Sequence, residues 1–349
     1  MNKIKALALF SGGLDSILAA RVVMAQGVEV EAIQFVTPFF HQEILDDIGG
    51  YRQKILSKYG VDVGIEDISE SYLKMLRRPV HGFGKNFNPC VDCKIMMMRR
   101  ARELMVAKAA SFLISGEVVG QRPMSQRRDS LNVISRDSDV RSLLLRPLSA
   151  KLLPETVAEQ KGWVCRNKLY TINGRGRSAQ IALAAEFGIS DYPAPAGGCI
   201  LADPILSRRV KALYAGNSPL QEKVQVDDVR SLLVGRQLRL PSGGWLIIGR
   251  DERENDRLEQ LAGPEDAILF MKEWPGPTAL LKKAADYDDD SVLGADLRLA
   301  ASLVVRYGRK IPQQDLRQSR KVCCEQDGTK TVFETTPFAE EEFREWIVG

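Results

Sequence analysis

Six residues, Ser11-Gly12-Gly13-Leu14-Asp15-Ser16, constrain this chain more tightly than any other feature. They follow the apolar segment Ala6 to Phe10 and open the helical pattern Ile17 to Ala25, so they form the turn between a strand and a helix. Two glycines at such a junction let backbone N–H groups approach an anion closely. The orphan amides of the first helical turn point at it, and the helix dipole favours its charge. The turn therefore reads as a phosphate cradle. It is not a Walker loop, because no G-x-x-x-x-G-K-[ST] occurs and no Lys follows the glycines.

The full length of 349 residues is enough for two domains, each with its own core. Charged residues at 27% and hydrophobic ones at 44% give a soluble globular balance, and no apolar run approaches the ~20 residues that span a bilayer. The chain enters its first strand directly, without a signal peptide pattern, so a cytoplasmic location and no membrane partner are expected. A net charge of +4 permits a polyanionic partner without requiring one. The six cysteines are expected to be reduced, and with only two histidines, His41 and His81, thiols are the better supply of chemistry.

Strand and helix patterns alternate along the first half: strand Val28 to Val36, helix Gln42 to Tyr59, strand Val61 to Ile65, helix Asp92 to Ala110, strand Ser111 to Ser115. That order predicts an α/β fold with a parallel sheet, whose ligands bind at the carboxyl ends of the strands. Residues 1–215 are assigned to this domain, 216–234 to a linker and helix, and 235–349 to a smaller α+β domain. The last opens with a hairpin, Gln237 to Leu240 and Trp245 to Gly249 around Ser242-Gly243-Gly244, followed by helix Glu254 to Leu261.

Cys90-Val91-Asp92-Cys93 opens a helix, where thiols are expected to have depressed pKa values. Cys199 lies in the small-residue loop Pro195-Ala196-Gly197-Gly198. Three thiolates near a nucleotide could hold an iron–sulfur cluster with one iron open, serve as a persulfide carrier with a resolving partner, or simply pack. Asp92, inside the C-x-x-C, is a candidate general acid or base. Cys165, Cys323 and Cys324 read as structural, and Met96, Met97 and Met98 as core filling. Arg99, Arg100, Arg102, Arg122, Arg127 and Arg128 form a basic set that suits either nucleic-acid phosphates or solvent.

The ordered set S-G-G-L-D-S, N-P-C-V-D-C-K, Gly116-Glu117-Val118-Val119-Gly120-Gln121 with Ser125-Gln126, Leu145-Arg146-Pro147-Leu148, Gly174 to Arg177 and P-A-G-G-C resembles the tRNA 4-thiouridine synthetases and related tRNA 2-thiouridylases. The resemblance covers roughly residues 5 to 210. It implies the sheet of the adenine nucleotide alpha hydrolase, or PP-loop ATP pyrophosphatase, type. It also implies ATP contacts by Ser11, Gly12, Gly13, Asp15 and Ser16, an adenine border at Phe35, and further nucleotide contacts by Lys94, Gly116 and Gln126. One residue is inserted between Gln121 and Ser125 relative to the family pattern.

Gly249-Arg250, Glu254-Asn255-Asp256, Asp266, Trp274-Pro275-Gly276 and Ala295 to Tyr307 resemble the NFACT-R RNA-binding module over about 235 to 310, which implies RNA contacts by Arg250 and Asn255. Ile268 and Phe270 replace that module's usual aromatic and His pair.

The combined expectation is a tRNA sulfurtransferase using ATP and Mg²⁺, with Cys90, Cys199 and Asp92 as catalytic residues. Cys90, Cys93 and Cys199 are then the possible ligands of a 4Fe-4S cluster. Its partners would be tRNA and a sulfur donor, either free sulfide or a cysteine-desulfurase relay. An amidating ligase with the same ATP chemistry and no need of the cysteines, or an RNA-binding adaptor with a vestigial ATP site, are the alternatives.

Overall fold

The computed structural model describes residues 4–195, 197–214, 224–308 and 318–348, and the chain divides into two compact units, Met1–Ala202 and Asp203–Gly349.

The first unit is built on a five-stranded parallel sheet in the order β3-β2-β1-β4-β5. Its strands are β1 (Lys5–Leu9), β2 (Glu29–Val36), β3 (Asp62–Asp67), β4 (Phe112–Ser115) and β5 (Leu144–Leu145). The helices are α1 (Leu14–Met24), α2 (Ile48–Tyr59), α3 (Ser69–Arg77), α4 (Cys90–Ala107), α5 (Arg128–Asp137), α6 (Val157–Gln160) and α7 (Ser178–Glu186).

Strand alternation divides the core. Ala6 and Ala8 of β1 face a cluster that includes Ile17, Leu18 and Val22 of α1, whereas Leu7 faces Ile95, Met98 and Met105 of α4. A sheet covered on both faces needs near-continuous apolar strands, which β1 supplies. The methionine run serves this second cluster, with Met98 fully buried and Met96 and Met97 packed against it. Leaving β1 the chain first builds towards β2 and β3, then crosses to β4 on the other side, which makes the carboxyl ends of β1 and β4 the topological switch point.

Two elements differ from the sequence reading. The helix expected over Gln42 to Tyr59 is split: Gln42–Asp46 is a 3₁₀ turn, and Asp47 caps a fresh start of α2 by accepting from Gly50 N (2.8 Å). Helix α3 had not been expected, although Ser69, Tyr72, Leu73 and Leu76 bury one face at helical spacing.

The second unit carries α8 (Pro204–Tyr214), α9 (Val226–Ser231), α10 (Glu252–Leu261), α11 (Asp290–Arg306) and α12 (Glu340–Phe343). Its antiparallel sheet runs β11-β10-β8-β9-β7-β6. The strands are β6 (Arg236–Arg239), β7 (Trp245–Ile248), β8 (Ala267–Met271), β9 (Ala279–Lys282), β10 (Arg320–Gln326) and β11 (Thr329–Thr335). The expected hairpin is β6–β7, closed by Leu240 N to Gly244 O (2.8 Å). The core lies between the sheet and α11, through Leu246, Ile248, Leu269 and Leu281 against Leu297, Ala300 and Val304.

The polar stretch expected as a linker lies largely outside the described residues. The division into units falls at 202/203 rather than 215, because α8 belongs to the second unit: Arg209 donates to Leu232 O (2.8 Å) and Gly235 O (3.2 Å). Among the described residues no helix is long and apolar enough to cross a membrane.

Candidate functional site

The glycine turn stands at the carboxyl end of β1, the position its strand–turn–helix pattern implies. Gly12 has φ +72°, a left-handed conformation glycine adopts without strain, and Gly13 is the extended residue preceding α1. Ser16 Oγ donates to Gly13 O (2.7 Å) and accepts from Ser11 N (3.2 Å), so the two serines close the loop on itself.

Asp15 projects from the first turn of α1. Its Oδ2 accepts from Gln121 Nε2 (3.0 Å), while Oδ1 is buried with no hydrogen-bond partner. A buried carboxylate oxygen without a donor is costly, and a cation beside a phosphate would satisfy it.

Gly116, expected as a nucleotide contact, is required by packing in its own right. A Cβ there would lie 2.6 Å from the backbone carbonyl of Asp15 and 2.6 Å from Ser16 N. The residue after β4 is therefore pressed against the start of α1. Gln126 is buried, with Oε1 unpartnered, and its carbonyl accepts from Gly120 N (2.7 Å) to close the loop 120–126.

Lys94, one turn into α4, reaches the same edge, with its Nζ 3.6 Å from Glu117 Oε1. Glu117 is buried, and Arg146 holds its other oxygen (3.0 Å). Burial pushes the Glu117 carboxyl up, but the charges of Arg146 and Lys94 more than offset this and leave it below the usual range. Phe35 does not face the turn: it is 5% exposed and packs with Leu7, Ile33, Ile95 and Met98 in the α4-side core.

The thiols come from two segments. Cys90 and Cys93 start α4, and Cys199 precedes a 3₁₀ turn, Ile200–Ala202; Ala196 of that loop lies outside the described residues. Cys90 donates to Asn88 Oδ1 (2.9 Å).

The depressed thiol pKa values expected at a helix start are overturned. Burial pushes Cys90 up against the pull of Lys94 and Arg122, and burial also raises Cys199, with Cys90 adding to the rise. Cys93 is pushed up to about 12 by burial, and by Cys199 and Cys90. Desolvation outweighs the helix dipole here. The mutual effects place the three sulfurs within electrostatic reach of one another. Among the described residues, however, no three His, Cys, Asp or Glu side chains are gathered to hold a single metal ion.

Asp92 is 6% exposed, and both of its oxygens accept backbone hydrogen bonds, from Val80 N (2.9 Å) and His81 N (2.9 Å). It pins the loop before α4 through both carboxylate oxygens.

Tyr72 of α3 is a residue the sequence reading missed. Its hydroxyl hydrogen-bonds Cys93, and its ring packs near Phe39 (5.9 Å). The buried face of α3 was the available signal.

The basic set is mostly engaged: Arg100 pairs with Glu66, Arg102 with Asp139 (2.7 Å) and Arg127 with Asp129 (3.1 Å). Arg99 and Arg128 donate to the carbonyls of Asp137 and Leu152. Arg122 is exposed and forms no ion pair among the described residues.

In the second unit the two expected RNA contacts are already occupied. Arg250 Nε lies 3.0 and 2.9 Å from the two oxygens of Glu254. Asn255 Oδ1 accepts from Thr278 N (3.0 Å) and its amide reaches Gly276 O (3.4 Å), so it tethers the Trp274-Pro275-Gly276 turn to α10.

The model of the family described as Thiamine biosynthesis protein (ThiI) matches residues 2–152, a span that contains the phosphate turn, the C-x-x-C and Lys94. Residues 2–152 of the first unit are similar to that family. A second model, NFACT protein RNA binding domain, matches residues 235–347. Curated relatives of the ThiI-like segment are named probable tRNA sulfurtransferase. One from Thermoanaerobacter sp. (strain X514) is 32% identical over 146 residues, 41% of this chain and 36% of that protein. Another, from Thermococcus kodakarensis, is 28% identical over 145 residues, 41% of this chain and 36% of that protein. The chain thus spans little more than a third of the length of these relatives.

Among solved structures, a 4-thiouridine synthetase–RNA complex with bound ATP aligns at TM-score 0.34 and 17% identity, over 53% of this chain and 51% of that one. The U34-tRNA thiolase NcsA from Methanococcus maripaludis with its [4Fe-4S] cluster aligns at TM-score 0.34 and 18% identity, over 61% and 67%. At such scores a superposition carries no functional weight.

Proposed function

We propose that this chain is an ATP-dependent tRNA sulfurtransferase. The observation that carries the reading is the S-G-G-L-D-S turn at the switch point of the ThiI-like sheet, with the unpartnered Asp15 Oδ1 inside it and three thiols within reach of one another. The amides of Ser11 to Ser16 take the ATP phosphates, and Asp15 Oδ1 offers a carboxylate ligand to Mg²⁺. Lys94 offsets charge at the α-phosphorus from the neighbouring helix. A uridine carbonyl oxygen bonds to that phosphorus and pyrophosphate leaves. Sulfur then bonds to the activated carbon, and AMP departs with the former uridine oxygen.

Cys90, Cys93 and Cys199 present the sulfur. Three thiols within electrostatic reach of one another are the kind of donor set that would hold a 4Fe-4S cluster, each cysteine on a different iron. A cluster held by three cysteines would leave one iron open to carry sulfide. Without it, thiols raised by burial stay protonated and resist exchange at neutral pH. The second unit, matched by an RNA-binding family, supplies affinity for tRNA rather than chemistry.

The test is anaerobic incubation of the full chain with tRNA, ATP and sulfide, followed by nucleoside mass spectrometry and an AMP assay. Thiouridine appearing only with ATP, with an equivalent of AMP, is the expected result. AMP formed with ammonia incorporation and no thionucleoside, in a parallel incubation supplied with ammonium, would establish an amidating ligase instead, and no AMP under any condition would leave an RNA-binding adaptor.

A further inference from the structure

We infer that Phe83 and Arg122 form the seat of the substrate nucleotide, an unstacked pyrimidine whose base lies on the Phe83 ring and whose phosphate meets Arg122. The inference rests on the tRNA reading above and names the residues that would position its substrate.

The loop from Pro79 to Pro89 exposes apolar surface beside the thiols: Val80 is 89% exposed and Phe83 is 41% exposed. Phe83 is stacked on the buried Phe87, with centroids 4.2 Å apart and planes at 26°, so one ring face is fixed from beneath. Exposed aromatic rings with a rigid backing are what proteins use to hold splayed-out bases, because every base has a π-face.

The loop is rigidly held. Asp92 takes the amides of Val80 and His81, Gly84 N donates to Asn88 O (2.8 Å), Phe87 N to Leu201 O (3.3 Å), and Asn86 Nδ2 to Ala202 O (2.6 Å). These ties run to both thiol segments. Asn88 also accepts from Cys90, and Leu201 and Ala202 follow Cys199. The neighbouring loop 120–126 packs the end of Met124 against Gly84, which carries Arg122 to this side. The Arg122 charge acts on both Cys90 and Cys199, so it lies near each sulfur. A base on Phe83 is thereby presented to sulfur while its phosphate is held by an otherwise unpaired guanidinium.

The experiment compares the full-length wild type with Phe83→Ala, Phe83→Leu, Phe83→Trp and Arg122→Ala, each checked by circular dichroism melting. Single-stranded uridine-containing RNA should quench the added indole fluorescence of Phe83→Trp, measured against the wild type. Phe83→Ala and Phe83→Leu should each lower kcat/KM for tRNA thiolation about ten- to hundredfold, as lost base stacking does, with Phe83→Trp restoring it. Arg122→Ala should reduce the salt slope of RNA binding by about one. Full activity in Phe83→Leu, or no quenching in a folded Phe83→Trp, would overturn the seat. If the wild type forms no thiouridine, the sulfurtransferase reading falls. The quenching and salt-slope measurements then still decide whether a base is held there.

Discussion

At the residue scale, Gly116 offers the sharpest test of the phosphate turn, because a single methyl group there meets backbone on three atoms. Gly116→Ala should displace the start of α1, cost about 1–3 kcal/mol of stability and weaken ATP binding at least tenfold, as read by thermal melting and ATP titration. At Gly13, a Cβ would find only Ser11 Oγ at 3.5 Å, and φ there is ordinary. Gly13→Ala should therefore fold normally, and any loss of ATP binding in it reports the anion's own need for space. Glu117 gives the pH dependence. Its folded pKa lies below 4.5, so its stabilising effect is present above 4.5 and is lost as pH falls through the folded value. Glu117→Gln should flatten that part of the acid-unfolding curve, and at neutral pH it should cost about 3–5 kcal/mol by leaving Arg146 buried without its partner. A melting temperature unchanged at pH 7 would show that Lys94 and Arg146 find other partners.

At the element scale, α4 begins two jobs at once, presenting thiols and anchoring the preceding loop. Asp92→Ala should free the amides of Val80 and His81, cost about 1–3 kcal/mol, and make the segment from Pro79 to Pro89 open to limited proteolysis. Asp92→Asn keeps one acceptor and should lose less. An acid–base residue would instead lose turnover equally in both, without new cleavage. Much at this scale was legible from sequence. The β-α order, α1, α4 and the β6–β7 hairpin follow from apolar period and turn residues, which are local. What was not legible depends on distant partners. Cys93 is raised by burial, with the distant Cys199 adding to the rise and the Tyr72 hydroxyl opposing it, and no property of C-V-D-C encodes those partners. Asn255 reads from sequence as an RNA contact, and its bonds to Thr278 and Gly276, which no local pattern encodes, add a structural role. Gly249 explains the fit: a Cβ there would strike Asn255 Oδ1.

At the scale of the whole molecule, each unit has its own core, and the boundary at 202/203 makes a prediction about truncation. Residues 1–202 should fold and bind ATP, and 203–349 should melt at a higher temperature than 216–349, because only the longer piece keeps Arg209 on the carbonyls of Leu232 and Gly235. Equal melting of the two pieces would move the boundary to 215. Deleting the second unit should weaken tRNA binding most at low salt. Arg250→Ala should leave the salt slope nearly unchanged, since Glu254 already holds that guanidinium. The position of Cys199 carries a consequence for how the protein is made. The phosphate turn is complete once β4 has joined β1, but Cys199 follows it by more than eighty residues, and its segment is tied to Asn86 and Phe87. A growing chain therefore acquires its nucleotide cradle early and its third sulfur late. Under the proposed function, an incomplete polypeptide still attached to the ribosome would bind ATP yet have no assembled thiol set with which to touch a passing tRNA.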